Sequence, residues 1–173
     1  MQLIINESVS LTEFRPTDKA ACVEYLSDKD IYDRTLRIPY PYTEADFDIW
    51  LGVTAEATEQ HGEPIHFAVR SLDGSLIGGC GFEGLTKGHR AEIGYWLAKP
   101  YWDQGIMTAV VGKACEYAFA QWKLVRITAH VFYVNVTSAR VLEKNGFLCE
   151  GNLRKHFLKD GRFLDSKLFA LVR

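Results

Sequence analysis

The chain has 173 residues, of which 47% are apolar and 13% aromatic, and its formal net charge is −2. This length predicts a single domain, residues 1–173 with a core from about residue 8, and the small charge gives no general attraction to nucleic acid or to an anionic membrane. No apolar run approaches the ~20 residues of a membrane span and no cationic segment opens the chain, so we expect a cytoplasmic protein without a signal peptide.

Cysteine and histidine positions give no sign of a metal centre. The four cysteines are scattered without a Cys-x-x-Cys spacing, and the five histidines form no metal-binding motif. We therefore expect no metal, and we expect the cysteines to be small buried side chains in a reducing environment.

The first third of the chain predicts a strand followed by two helices. Residues 9–15 alternate loosely between apolar and polar side chains, and residues 16–26 have the pattern of a helix with proline in its first turn. Residues 31–42 look irregular. A second helix begins at Thr43, with Asp46 three residues later as in a capping box.

The middle of the chain predicts a β-hairpin and a further strand. Residues 65–71 and 76–82 have strand character and are joined by an Asp73-Gly74 turn. Three glycines crowd the second of these strands, which indicates a bulge or a close approach by another group. Residues 91–97 form the next predicted strand, and a long helix is expected from about residue 104 to 122.

The most informative motif is YWDQGIMTAV at residues 101–110, where a single glycine lies between a strand and a helix. Such a turn points free backbone N–H groups at one spot, over the positive end of the helix dipole, and this suits a phosphate. The motif is neither a Walker A loop nor a dinucleotide fingerprint. An ordinary strand-to-helix connection, with Asp103 or Gln104 near the helix start, is the alternative.

The last third predicts a strand, a helix and a second hairpin. Residues 125–133 are rich in β-branched and aromatic side chains, and a helix at 137–145 ends at Gly146. Two strands, at 157–159 and 163–172, follow around an Asp-Gly turn. Seven strands with interspersed helices predict one mixed α/β (α+β) layer fold.

Four ordered blocks of the chain resemble the GNAT acetyltransferases, in the RimJ/RimL-like branch of ribosomal-protein N-terminal acetyltransferases. They are PYPYTEADFDIWL at 39–51, the strand and turn at 91–110, NVTSARVLEKNGFLCEG at 135–151, and the hairpin at 160–165. The resemblance implies a central mixed, mostly antiparallel seven-stranded sheet with flanking helices and a splayed central strand pair that binds coenzyme A. It also implies direct transfer of an acetyl group from acetyl-CoA to a primary amine.

The resemblance assigns acetyl-CoA to the backbone of one strand, the turn after it and a later helix. Tyr95, Trp96 and Leu97 would pair with the pantetheine arm as if it were an added strand. The pyrophosphate would be held by the turn residues Asp103, Gln104, Gly105, Ile106, Met107 and Thr108. Asn135 would bond the pantetheine amides, or else be a plain residue at a helix start.

The turn departs from the family pattern Gln/Arg-x-x-Gly-x-Gly/Ala. Only Gly105 is kept, because Trp102 and Met107 occupy the other two positions. Asp103 replaces a glycine that is common in this branch and puts a carboxylate beside a dianion, unless it points away.

The chemistry needs a general base, because an amine attacks only as the free base. Glu92 and His130 lie on two predicted strands and are the candidate bases, with Glu83 a weaker third. The alternatives to a catalytic role are that Glu92 faces solvent and that His130 has its hydrogen bonds satisfied within the sheet. Many GNAT members have a tyrosine general acid where this chain has Leu142. Ser138 is then the remaining candidate acid near the leaving sulfur, or a hydroxyl bonded to its own helix.

Three acceptor hypotheses stay open. The first is the N-terminal α-amine of a protein such as a ribosomal protein. The second is a small amine, such as a polyamine, amino sugar or antibiotic, in a pocket walled by Tyr40, Tyr42 and Trp50 with acidic neighbours. The third is a CoA-binding protein without useful turnover. The expected partners are acetyl-CoA and the amine, without nucleic acid or membrane; the oligomeric state is open, with a homodimer as one option.

Overall fold

Eight strands and five α-helices follow one another in residues 2–173, the part of the chain that the computed structural model describes. The strands are β1 (Gln2–Ile4), β2 (Val9–Thr12), β3 (His66–Ser71), β4 (Leu76–Thr86), β5 (Arg90–Leu97), β6 (Arg126–Phe132), β7 (Leu148–Lys159) and β8 (Arg162–Val172). The helices are α1 (Lys19–Leu26), α2 (Lys29–Arg34), α3 (Glu44–His61), α4 (Ile106–Trp122) and α5 (Val136–Lys144). Short 3₁₀ turns at Pro16–Asp18 and Lys99–Tyr101 come before α1 and α4.

The strands form one mixed sheet in the order β1-β2-β3-β4-β5-β6-β8-β7. The pairs β1–β2, β2–β3, β3–β4, β6–β8 and β7–β8 are antiparallel, whereas β5 and β6 are parallel. This confirms the predicted α/β fold with its mixed, mostly antiparallel sheet. The sheet has eight strands rather than seven, because β1 also pairs with β2. At three residues, β1 is too short to show an alternating pattern in the sequence.

Helix α2 begins within the stretch before the two prolines and was not predicted, since residues 31–42 looked irregular. The Asp28 carboxylate accepts a hydrogen bond from the Asp30 amide at 2.7 Å and caps the helix. Ion pairs Lys29–Asp33 and Asp30–Arg34, each four residues apart, join its turns. The prolines that suggested irregular backbone follow the end of this helix.

Several element boundaries differ from the sequence prediction. β4 continues to Thr86, and β7 begins at Leu148 rather than at residue 157. Most β7 side chains are exposed and its pairing with β8 contains two register shifts, so alternation does not mark the strand. α4 begins at Ile106 rather than at residue 104.

Contacts divide the chain into two units, and the boundary crosses β4 after Gly81 and β5 before Tyr95. The first unit contains β1 to β3, α1 to α3 and the segment Tyr95–Ile106. Its apolar core is formed by the buried side chains of Cys22, Leu26, Ile31, Tyr42, Phe47, Ala68 and Leu76.

The second unit consists of Phe82–Gly94 and Met107–Arg173. One apolar face of α4 is buried there and includes Val110, Val111, Ala114, Cys115, Ala118 and Phe119. At the end of the helix, the Trp122 ring meets Phe82 edge-on at 5.0 Å. One prediction for this unit is wrong: Cys149 is exposed, because it lies on the edge strand β7, whereas the other three cysteines of the chain are buried.

The parallel strands β5 and β6 are paired only near their beginnings. Their ladder joins Arg90–Glu92 to Arg126–Thr128, and no further β5–β6 pair is found within residues 2–173. β5 nevertheless runs on to Leu97 and β6 to Phe132. This is the splayed central strand pair that the GNAT resemblance implies.

Candidate active site

The turn before α4 presents a row of backbone amides. Asp103 and Gly105 have positive φ angles of 60° and 74°. Within residues 2–173 no protein hydrogen bond is found from the amides of Asp103, Gln104 or Gly105. The next amides belong to the first turn of α4, where no partner exists within a helix. Amides gathered in this way at a helix N-terminus bind anions, so the turn fits a phosphate.

The backbone conformation fits the glycine that the family pattern implies at the position of Asp103. A φ of 60° is in the left-handed region, which glycine enters freely and aspartate tolerates better than most residues. Asp103 does not lie next to the helix, because Gly105 immediately precedes Ile106 at the start of α4. Its side chain is exposed, and Gln104, the other residue expected near the helix start, lies between it and Gly105.

Trp102 connects this turn to the end of β5, within the first unit. Its indole Nε1 donates a hydrogen bond to the Leu97 carbonyl at 2.7 Å, and the Arg34 guanidinium lies 5.2 Å from the centre of its ring. Gln104 Nε2 donates to the Pro100 carbonyl at 3.0 Å. The sequence shows Trp102 only as a departure from the family pattern, and its contact with Leu97 is visible only in the structure.

The glycines of β4 lie against Trp96, as their crowding in the strand predicts. A Cβ atom at Gly78 would be 2.6 Å from the Trp96 carbonyl oxygen, and one at Gly79 would be 2.5 Å from the Trp96 indole nitrogen. Tyr95, Trp96 and Leu97 are half-buried. The Leu97 carbonyl already accepts a hydrogen bond from Trp102, which holds this end of the segment to the turn.

Glu92 and His130 form a pair in the second unit. Glu92 Oε1 lies 3.1 Å from His130 Nδ1, and the two side chains are 37% and 21% exposed. The parallel register places Glu92 opposite Thr128, whose side chain is on the same face of the sheet as His130. The two candidate bases are therefore a single carboxylate–imidazole unit that is open to solvent, rather than alternatives.

Two further residues, which the sequence did not single out, contact His130 of this pair. The His156 ring lies 4.9 Å from the His130 ring, and His156 Nδ1 is 2.8 Å from the hydroxyl of the fully buried Ser166. Phe157 meets the His130 ring edge-on at 6.0 Å. His156 lies next to a register shift in β7, so no regular spacing marks it in the sequence.

Helix α5 holds the remaining candidates. The Asn135 side-chain oxygen accepts from the Ser138 amide at 3.2 Å and caps the helix, so this oxygen serves a structural purpose whatever else Asn135 does. Ser138 is half-buried in the first turn, and Leu142 is fully buried. Glu83 lies half-buried on β4.

Asn145, which the sequence did not indicate, connects α5 to α4. Its Nδ2 donates to the Thr108 carbonyl at 3.1 Å and to the Val141 carbonyl at 2.9 Å. A Cβ atom at Gly112 would be 2.7 Å from its side-chain oxygen. Asn145 thus holds the first turn of α4, with the candidate phosphate residues Met107 and Thr108, against α5.

Among residues 2–173, no helix has both the length and the apolarity needed to cross a bilayer. In the same residues, no group of three or more His, Cys, Asp or Glu side chains is placed to hold a metal ion.

Comparison with known proteins identifies the family. Residues 8–148 match the family described as the acetyltransferase (GNAT) domain. The chain is 36% identical over 122 residues to "Uncharacterized N-acetyltransferase YoaA" of Bacillus subtilis, which covers 69% of each chain. It is 37% identical over 102 residues to "Putative ribosomal N-acetyltransferase YdaF" of the same organism, which covers 58% of this chain and 56% of the relative.

A solved structure agrees with this assignment. The crystal structure of an acetyltransferase (GNAT family) from Bacillus anthracis matches with a TM-score of 0.85 and 25% identity, over 99% of this chain and 98% of that one. The family match covers most of the chain, and the splayed strands and the amide-lined turn lie where the family resemblance implies a site for the acetyl donor. The chain belongs to the GNAT family and is an acetyl-CoA-dependent N-acetyltransferase.

Proposed function

We propose that this enzyme acetylates the N-terminal α-amine of a protein, and that a ribosomal protein is the first acceptor to test. The contact between Glu92 and His130 carries the proposal, because a solvent-exposed carboxylate–imidazole pair suits an amine that needs little activation. An α-amine has a pKa near 8 and is partly unprotonated at neutral pH, whereas a lysine or polyamine amine, near 10.4, needs a stronger driving force for deprotonation. The name of the relative YdaF supports the ribosomal acceptor class.

The features that favoured a small cationic acceptor have structural roles of their own. Tyr42 is buried in the core of the first unit, where burial also raises the pKa of its hydroxyl, so it cannot wall an open pocket. Asp46 accepts hydrogen bonds from Thr43 in the predicted capping box. Asp48 pairs with Lys19 at 2.8 Å. Asp46 and Asp48 thus have partners within the protein, which counts against a free anionic pocket for a polyamine.

We assign the acetyl donor to the residues that the family resemblance indicates and whose geometry fits. When bound, acetyl-CoA supplies the thioester carbonyl that the amine attacks. The turn amides from Asp103 to Thr108 would hold the pyrophosphate, the backbone of Tyr95–Leu97 would align the pantetheine arm, and the amide nitrogen of the Asn135 side chain is left to bond it.

The chain's own titratable groups would then move two protons. The Glu92–His130 pair takes the proton that the α-amine loses as its nitrogen bonds to the acetyl carbon, directly or through one water. Ser138, near the start of α5, is the candidate donor of a proton to the departing sulfur, because Leu142 has none to give. Neither role requires a metal, and we expect the reaction to proceed in the cytoplasm and in the presence of EDTA.

The test is the mass of the product after incubation with acetyl-CoA and a mixed panel of acceptors. The panel contains N-terminal peptides of ribosomal proteins, polyamines and amino sugars, with an N-terminally blocked copy of each peptide as the matched control. Acetylation of the free peptides but not of the blocked copies supports the proposal. Acetylation of a small amine alone would contradict it. Binding of acetyl-CoA without product from any acceptor would favour a CoA-binding protein without turnover.

A further inference from the structure

We propose that the acceptor peptide carries acidic side chains shortly after its N-terminus, and that Lys159 and Arg162 recognise them. This inference rests on the proposed function, since it places the α-amine at Glu92 and His130. The residues that carry it lie on one face of the sheet in the second unit. They would select acidic peptides from among protein N-termini.

The strand register places the candidate base and the two cations on the same face. In the β6–β8 ladder His130 is opposite Leu168, and Phe132 is opposite Ser166. In the β7–β8 ladder Phe157 is opposite Leu164, and Lys159 is opposite Arg162. Directly opposed residues share a face, as do residues two apart on one strand. The even-numbered residues of β8 from Arg162 to Leu168 therefore connect Lys159 to the face that holds His130.

Ring contacts make this face continuous. The Phe157 ring is 6.0 Å from the His130 ring and 5.7 Å from the Phe132 ring. The Lys159 ammonium lies 5.8 Å from the centre of the Phe132 ring. These contacts connect the Glu92–His130 pair to the cations at the tip of the β7–β8 hairpin through the half-buried Phe157 ring and the buried Phe132 ring.

The length of this path sets the position of the acidic residues. Two ring-to-ring steps and one ammonium-to-ring step amount to no more than about 18 Å, and an extended peptide rises roughly 3.3 Å per residue. A peptide with its amine at the base would bring its third to sixth residues, roughly, to Lys159 and Arg162. Asp160 in the turn is the nearby anion of the hairpin tip, and Glu92 at the other end already contacts His130. Lys159 and Arg162 are opposite each other at this end of the hairpin, and a pair of cations there favours an anionic segment over a polycation.

The experiment compares three acceptor peptides that share their first two residues and their length. Residues three to six are Asp and Glu in the first peptide, Asn and Gln in the second, and Lys and Arg in the third. We expect kcat/KM to be highest for the acidic peptide and lowest for the basic one, with several-fold steps that shrink as salt is added. Lys159→Gln with Arg162→Gln should remove the preference, and Lys159→Glu with Arg162→Glu should reverse it.

A matched control comes from the same hairpin. Lys167 is on the opposite face of β8, over the Tyr133 ring at 4.9 Å, so Lys167→Glu should leave the order of the three peptides intact. Equal kcat/KM for the acidic and neutral peptides, or a reversal by Lys167→Glu, would overturn the inference while leaving N-terminal acetylation standing. If only a small amine is acetylated, the proposed function is wrong, and the inference about acidic peptides is wrong as well. If no acceptor reacts, fluorescence anisotropy measures the binding of the three acetylated product peptides to the protein. Tighter binding of the acidic peptide supports the inference, and binding without that preference overturns it.

Discussion

Glu92 and His130 act together if the 3.1 Å contact between them is retained during the reaction. A carboxylate beside an imidazole fixes the orientation of the ring. General-base assistance contributes about 10² to 10⁴ in rate. We expect Glu92→Gln and His130→Gln each to lower kcat by about a hundredfold or more.

Because the two groups form one unit, the double variant should be hardly slower than the worse single variant. Steady-state rates for the four proteins in a double-mutant cycle test this, with thermal unfolding to show that all are folded. Multiplication of the two single effects would indicate that the residues work separately and would contradict the assignment.

Trp102 provides a second test at the level of one residue. Trp102→Phe removes the N–H that the Leu97 carbonyl accepts from and keeps an aromatic ring beside Arg34. A hydrogen bond of this kind contributes about 1 kcal/mol, which corresponds to roughly a fivefold change in binding. We expect the Kd for CoA and the KM for acetyl-CoA to rise by about this factor with little change in kcat.

Calorimetric titration with CoA and a KM measurement check the Trp102 prediction. Trp50→Phe is the control, because that indole packs on Phe14 and His66 in the first unit and makes no contact with the turn among the described residues. A fall in kcat at unchanged KM would show that Trp102 does not act by positioning the donor.

Single residues of the site could be predicted from the sequence, but their contacts could not. Gly105 could be placed in the turn because glycine is the residue that most readily adopts a left-handed conformation. The positive φ angle of Gly105 agrees with that prediction. Glu92 and His130 could only be suspected separately, since their meeting depends on the parallel register of β5 and β6, which neither strand encodes by itself. Their catalytic roles, like that of Ser138, stay predictions.

At the scale of elements, a buried ion pair joins β2, β3 and the turn before α1. Arg70 Nη1 and Nη2 each lie 2.8 Å from an oxygen of Asp18, and both side chains are only 5% exposed. Arg70 also donates to the Thr12 hydroxyl and to the Glu13 carbonyl. Removing one partner leaves a buried charge without its counter-ion, which costs about 3–5 kcal/mol.

Asp18→Ala should therefore lower the free energy of unfolding by about that amount. Asp48→Ala is the matched control, because Asp48 pairs with Lys19 at the surface, where such pairs contribute roughly 0–1 kcal/mol. Urea denaturation of the two variants makes the comparison. An equal decrease in the free energy of unfolding in the two variants would mean that the buried Asp18–Arg70 pair stabilises the fold no more than a surface ion pair does.

Helices and hairpins whose ends are marked by capping or turn residues were easier to predict than strands that are ordered by pairing with another strand. The capping box at Thr43 and the left-handed Gly62 bound α3 where the sequence places them. Gly74 and Gly161, both with positive φ, mark the two predicted hairpins. β7 was largely missed because it is an exposed edge strand whose order comes from pairing with β8 rather than from an apolar face of its own.

For the whole molecule, the buried thiols contribute to the response of stability to alkaline pH. Burial raises the pKa of Cys22 and of Cys115 from an ordinary 9.0 to about 12. Between these values the unfolded chain loses the thiol proton while the folded chain keeps it. The folded state then binds more protons, so its stability falls as pH rises, by at most about 1.4 kcal/mol per pH unit for each thiol.

We therefore expect the free energy of unfolding to be insensitive to these two groups below pH 9 and to decline as pH rises from 9 toward 12. Urea denaturation at several pH values measures the slope. The Cys22→Ala, Cys115→Ala double variant should decline less steeply, because an alanine has no proton to lose in either state. Cys149→Ala is the control: its thiol is exposed, and its removal should leave the slope unchanged. Equal slopes for the wild type and the double variant would show that both buried thiols ionise as readily in the folded protein as in the unfolded chain.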